Sequence, residues 1–345
     1  MSAELDERVQ RALADLAQVH GRVDDALRWA TDAGTWLPAP GTGHTRVLWA
    51  FFAAAAAIDV AAARVLEPHL DALAILSQAP QPVDLAAVGA GDGSSWGVFA
   101  AEGAGLALEA REDGGRWRLD GTKPWCSLAG ALSHALVTAT VEGGARRLFA
   151  VSLRESGVTA DDGPWAPRGL TQVVSAPVRF EGVPSVPVGE PGWYLERPGF
   201  FWGGIGVAAC WLGGATGIAR ALLVASGKRE PDQLALAHLG AVDRAIAAAR
   251  AALDAAANIV DDPPADVDWP TLMLRTRGAV ADAAERVITR VGHALGPAPL
   301  ALDADHAARV ADLQLYLRQH HAERDDAALG RALLDRLADS GRRPW

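Results

Sequence analysis

An α+β architecture in three consecutive blocks, helical, then β, then helical, follows from three features of this 345-residue sequence. Residues 1–91 carry apolar side chains at three- and four-residue steps (Leu5, Val9, Leu13, Leu16, Val19), followed by the Ala-rich run Val47–Leu76. That is the periodicity of helices with one buried face. Between Ser94 and Pro187 the pattern changes to short alternating runs with turn signals roughly every ten residues, the signature of a small barrel or sandwich. From Gly199 onward Ala-rich helical periodicity returns. The expected domains are therefore 1–91 (N-terminal, helical), 92–192 (middle, β) and 193–345 (C-terminal, helical).

Within the first block, Trp36–Gly43 is a loop by its Pro and Gly content. The run Val47–Leu76 is interrupted by Asp59, Arg64, Glu67, His69 and Asp71, so it packs inside a protein and does not span a bilayer. His69 and Asp71 read as helix-end or solvent-side groups, since nothing nearby completes a metal set. In the β block, strands are expected at Trp96–Ala101, Leu106–Arg111, Arg116–Leu119, Ala135–Val141, Leu148–Leu153 and Val173–Phe180. Gly114-Gly115 and Gly143-Gly144 supply hairpin turns. Asp120-Gly121 reads as a further tight turn, leading into a short strand that ends at Trp125-Cys126-Ser127. The last block predicts helices over Ala219–Ser226, Leu234–Ile259 and Trp269–Leu295, separated by Pro263-Pro264 and Pro297-Ala298-Pro299.

A net charge of −10 argues against a nucleic-acid partner, because phosphates need a basic surface. Hydrophobic residues make up 50% and charged residues 21%, a globular composition. Two cysteines, Cys126 and Cys210, fit a reducing cytoplasm and give no disulfide framework. The acidic N-terminus lacks the apolar segment of a secretory signal. The uncharged run between Arg197 and Arg220 has the length of a membrane span. Its many glycines and the lack of flanking basic asymmetry predict a buried core helix instead, so no membrane partner is expected.

Trp125, Ser127 and the small-residue loop after them place an indole, a hydroxyl and backbone N–H groups at one strand end, a set that suits a flat heterocycle with polar edges. The pattern Trp117-x-Leu119-x-Gly121-x-Lys123-x-Trp125-Cys126-Ser127 resembles the flavin-contacting segment of the acyl-CoA dehydrogenase family. The stretch from Gly157 through Arg168–Thr171 and Val178–Pro184 to Gly192 resembles a second segment of the same family, in the right order. The resemblance spans about residues 30–325 and implies that family's fold, with a C-terminal four-helix bundle. It also implies FAD as cofactor, a small-molecule substrate such as an acyl-CoA, and assembly as a homodimer or homotetramer. Carried over, Trp125 packs on the flavin ring and Ser127 bonds it, with Cys126 between them. Backbone groups of Phe99, Ala100 and Ala101 would bond the ring edge. Lys228 or Arg229 would serve its phosphate in place of the family's Arg-led Phe-Gly turn, which is absent.

The family's catalytic Glu is missing: where "Y-E-G-T" is usual, this chain reads Leu317-Arg318-Gln319-His320-His321. His320, His321 and Glu323, read as one helical turn, are the candidates to replace it, since an imidazole near its ordinary pKa can act as a base. Three readings stay open. One is an acyl-CoA dehydrogenase-type oxidoreductase with a non-standard or absent base, the second a flavin-dependent monooxygenase on the same fold, and the third a degenerate subunit partnering an active paralogue.

Overall fold

The helical, β, helical order expected from the sequence is the order observed. The computed structural model describes residues 3–160, 163, 165–228 and 230–340. The chain opens with helices α1 (Ala3–Val19), α2 (Val23–Gly34), α3 (Thr45–Ile58) and α4 (Val60–Ser77). Strands β1 (Trp96–Phe99), β2 (Leu108–Asp113), β3 (Arg116–Ser127), β4 (His134–Thr140), β5 (Arg146–Ser152), β6 (Val158–Ala160) and β7 (Ser175–Val188) follow. Helices α5 (Trp193–Glu196), α6 (Pro198–Gly227), α7 (Gln233–Asp261), α8 (Trp269–Leu295), α9 (Ala298–Leu302), α10 (Ala304–Tyr316) and α11 (Glu323–Ser340) complete it. The blocks 1–91, 92–192 and 193–345 describe secondary structure. By compactness the chain groups into two units, Met1–Ala39 with Arg64–Phe200, and Pro40–Ala63 with Phe201–Trp345.

In the first unit the sheet runs β1-β4-β2-β3-β7-β5, with β4 also paired to β5 and β6 added to β7. The β4–β5 pairing closes the path into a barrel, so the inner strands have no free edge. Strand β4 is buried almost throughout. Leu136, Leu148, Ala150 and Val188 form one core with Ala72 and Ile75 of α4, while Trp117 meets Phe149 at 5.2 Å between ring centroids. Gly114 and Gly115 (φ 56° and 81°) make the β2–β3 hairpin as expected.

Asp120-Gly121 is not a turn. Strand β3 runs unbroken from Arg116 to Ser127, with register shifts at Leu119/Gly121 and Lys123/Cys126. Gly121 (φ 121°) is needed because a Cβ there would lie 2.3 Å from the Ala107 carbonyl oxygen. The Asp120 carboxylate accepts from Gly182 N–H at 2.7 Å, a cross-strand role and not a turn role. His69 also departs from expectation. It is 2% exposed, its Nδ1 accepts from Trp96 N–H at 3.3 Å, and burial pushes its pKa down to about 4. Asp71 is not a solvent-side group either: burial raises its carboxyl to about 6 against the opposing pull of the buried Arg197 guanidinium.

In the second unit the glycines of α6 let it press against α3. A Cβ at Gly213 would sit 2.1 Å from Ala53 O, and one at Gly217 2.8 Å from Ala57 O. Among the described residues, α6 is the helix long and apolar enough to cross a membrane, and 61% of its most apolar stretch is buried. Aspartates cap the neighbouring helices: Asp232 accepts from Ala235 N–H, Asp268 from Thr271 N–H and Asp303 from His306 N–H.

Candidate functional site at the end of strand β3

The second register shift of β3 is a bulge, and it aims Trp125. A bulge turns one side chain away from the regular alternation. Trp125 takes φ 58° and stands 61% exposed, while Cys126 and Lys123 on either side are buried. Lys123 anchors the bulge from within: its Nζ donates to Thr138 Oγ1 at 2.9 Å and to Glu102 Oε1 at 3.1 Å. Burial lowers the Lys123 pKa, with Glu102 opposing. Cys126 Sγ lies 3.2 Å from Lys123 O, and burial pushes its thiol up to about 12. Cys126 therefore has no reactive thiolate and offers a ligand only its backbone.

Ser127 ends the strand in a chain of hydrogen bonds. Arg64 Nη2 donates to Ser127 Oγ at 3.1 Å, Ser127 Oγ lies 2.7 Å from Ser175 Oγ, and Ser175 Oγ donates to Val173 O at 3.1 Å. A hydroxyl has one proton. The Ser175 hydroxyl has two acceptors within reach, Val173 O and Ser127 Oγ, and either serine can be the donor between the two hydroxyls. Ser127, expected from the sequence to bond a flavin, stands in this structure between Arg64 and Ser175, and Arg64 is the cationic donor on its hydroxyl.

Arg64, Val65 and Pro68 of α4, Trp96–Phe99 of β1, and Ser127, Leu128 and Leu132 line one cleft of about 250 Å³, including the space at its mouth. Leu128, at φ 62° with its N–H on Val174 O at 2.7 Å, turns the chain sharply at the cleft wall. Phe99 and Ser127 thus meet at one cleft. The Phe99 ring is 2% exposed and belongs to the core, leaving its backbone for a ligand, and Ala100 and Ala101 follow the strand end. Arg64 was legible in sequence only as a lone cation in an Ala-rich helix.

The remaining predicted residues lie in the second unit. His320, His321 and Glu323 do not share a helical turn: a 3₁₀ turn ends at Gln319, Ala322 takes φ 50°, and α11 starts at Glu323. This left-handed step turns both imidazoles toward Asp325. His321 Nδ1 lies 3.2 Å from Asp325 Oδ1, and His320 Nε2 lies 3.7 Å from Oδ2. The His320 side chain is 11% exposed and its Nε2 makes no hydrogen bond, whereas that of His321 is 67% exposed. Glu323 is exposed. Lys228 is exposed just beyond α6, and Arg229 lies outside the described residues. Among the described residues, no group of three or more His, Cys, Asp or Glu side chains could hold a metal ion.

No family model and no curated protein sequence matches the chain. Solved structures match it over nearly its whole length. The complex of a dibenzothiophene monooxygenase from Paenibacillus sp. A11-2 with FMN and indole shares 17% identity over 98% of both chains, with a TM-score of 0.78. A nitrososynthase from Micromonospora carbonacea var. africana shares 17% identity over 90% of each chain, with a TM-score of 0.72. A steroid ACAD variant shares 20% identity over 97% of this chain and 100% of its own, with a TM-score of 0.70. The fold is that of the acyl-CoA dehydrogenase-like proteins, as the sequence implied.

Proposed function

We propose that this protein, on that fold, is a flavin-dependent oxidoreductase acting on a small molecule, with oxygenation as its chemistry. One observation carries the reading: an exposed indole at a left-handed backbone position, next to a cleft whose charged lining is a cation and includes no carboxylate. The left-handed region costs an L residue about 1–2 kcal/mol. Burial of the ring in the protein does not offset that cost, and a flat heterocycle stacked on it would. When bound, a flavin would supply two-electron transfer and a path for dioxygen to react with substrate.

Trp125 would give the ring its stacking face, and the backbone of Phe99, Ala100, Ala101 and Cys126 would bond its edge. Lys228 and Arg229, contributed from a neighbouring subunit, remain the candidates for its phosphate. The missing Phe-Gly of the pyrophosphate turn, and the FMN named in similar structures, favour FMN over FAD. In an oxygenation one oxygen atom enters the substrate and the other leaves as water, with two electrons and two protons supplied from outside. That chemistry asks no carboxylate to remove an α-proton.

Dehydrogenation of an acyl thioester is the second reading. It draws on His320, whose little-exposed imidazole beside Asp325 resembles a positioned base. Assembly as a homodimer or homotetramer is part of the proposal, supported by the exposed Leu223, Val224, Leu234 and Leu236. Cytoplasmic residence rests on two buried cysteines that form no disulfide.

The test starts with the visible spectrum of the purified protein and titration with FMN and FAD. A substrate panel is then run with a dye acceptor, and separately with a flavin reductase and oxygen. Oxygen-dependent hydroxylation supports the proposal, whereas dye-linked oxidation of an acyl-CoA without oxygen replaces it with the second reading. A colourless protein that titrates with neither flavin would sink both and leave the degenerate-subunit reading.

A further inference from the structure

We infer that Glu102 is a positioning residue of the proposed flavin site: through Lys123 it locks the segment that follows β1 to the bulge of β3. This deepens the proposed function and rests on that reading for the ligand. Two parts of that site come from different strands. Trp125 of β3 is the stacking face, and the backbone of Phe99, Ala100 and Ala101 meets the ring edge. The β1–β4 ladder ends where Phe99 pairs with Val137, so it no longer fixes the residues beyond. A flat ligand held by both parts needs them at a constant separation, which neighbouring groups must supply.

Two contacts supply that constraint. The Glu102 carboxylate accepts from Lys123 Nζ at 3.1 Å and from Arg146 Nη1 at 3.4 Å. Beside it Gly103 packs on Pro124, where a Cβ would stand 3.0 Å from Pro124 Cγ. Lys123 and Pro124 are the two residues that precede Trp125. The segment that presents the ring edge is therefore fastened to the backbone that aims the indole. Burial decides which of the two cations matters. The Lys123 side chain is 3% exposed and that of Arg146 44%. An exposed ion pair contributes little, whereas a buried ammonium that loses its carboxylate is left with an uncompensated charge. Thr138 Oγ1, 2.9 Å from the same Nζ, is neutral and cannot balance that charge. Without Glu102, Lys123 is driven toward water, and the bulge moves with it.

The experiment uses the full-length protein labelled with 5-fluorotryptophan, read by fluorine NMR and by titration with FMN. The Trp125 resonance is assigned by its loss in Trp125→Phe. Because the Glu102 side chain is 54% exposed, replacing it leaves the core packing in place. Glu102→Ala should shift or broaden the Trp125 resonance, leave that of Trp29 on α2 unchanged, and weaken FMN binding about twofold or more. Glu102→Gln, which keeps an acceptor for Lys123, should do less, and Arg146→Gln should stay near the wild type. In a Trp125→Gly background Glu102→Ala should weaken FMN binding by a smaller factor than in the wild type, because part of its effect passes through the indole. If Trp125→Gly abolishes binding, the resonance alone decides. An unmoved Trp125 resonance in Glu102→Ala, the same loss of affinity in both backgrounds, or an Arg146→Gln effect equal to that of Glu102→Ala would each overturn the inference. A wild-type protein that binds no flavin, yet whose Trp125 resonance moves in Glu102→Ala, would refute the proposed function and leave the positioning role standing.

Discussion

The strand end at Trp125 and the helix junction at His320 both turn on a non-glycine residue in the left-handed region, Trp125 at 58° and Ala322 at 50°. The outcomes differ. At Trp125 the strained step exposes a large apolar surface and keeps the polar groups behind it engaged: Lys123 on Glu102 and Thr138, Ser127 on Ser175. At Ala322 it folds the chain back so that two imidazoles share one carboxylate, with no large apolar group exposed. The same backbone device therefore builds a stacking surface in one unit and a polar cluster in the other. An exposed aromatic in a costly conformation points to a ligand more directly than a polar cluster that satisfies most of its own bonds.

The largest expected effect breaks the strand end itself. Gly121→Val would drive a Cβ into the Ala107 carbonyl at a φ that L residues avoid. It should cost about 3 kcal/mol or more and disturb the bulge that aims Trp125. Urea denaturation together with the near-ultraviolet circular dichroism of the tryptophans would show it. A comparable denaturation midpoint with an unchanged tryptophan signal would mean that β3 tolerates the shift.

The next effect concerns His69, a buried histidine whose Nε2 makes no hydrogen bond. Burial holds the His69 pKa at about 4 against an ordinary value of 6.5. Between pH 6.5 and 4 the unfolded chain binds a proton that the folded chain refuses, so stability falls as pH drops through this window. The contribution is complete above pH 6.5 and gone below about pH 4, and amounts to roughly 3 kcal/mol. His69→Asn, which keeps an acceptor for Trp96 N–H, should flatten that slope. Denaturation midpoints measured across the window decide the matter, and an unchanged slope in the variant would assign it to other groups.

The smallest effect sharpens the comparison of the two left-handed positions. Ala322→Gly should gain up to about 1 kcal/mol, because glycine adopts positive φ without a Cβ clash. Trp125→Gly should leave stability within about 1 kcal/mol, since the ring is mostly exposed. It should nonetheless weaken flavin binding about threefold to tenfold by removing the stacking face. Flavin titration next to denaturation makes the distinction, and a Trp125→Gly protein that binds flavin as tightly as the wild type would remove Trp125 from the site.

Sequence by itself determined the order of helical, β and helical blocks, the Gly114-Gly115 hairpin, the buried helix in the uncharged run, and Trp125 with Ser127 as residues of interest. Each follows from periodicity or from the φ preferences of a few adjacent residues, which act over one or two turns of chain. Tertiary structure decided the rest. Asp120-Gly121 has the local chemistry of a turn, yet pairing with β2 and β7 carries β3 straight through it, because the ladder satisfies more backbone groups than a turn there would. The fate of His69 depended on which face of α4 the barrel covers, and the helix pattern alone left that face ambiguous. Arg64 meets Ser127 across 63 residues, and Ser127 meets Ser175 across 48. The direction of a hydroxyl proton is set only once all its acceptors are in place. Packing, which brings Arg64, Ser127 and Ser175 together, therefore decided the hydrogen bonding at this strand end.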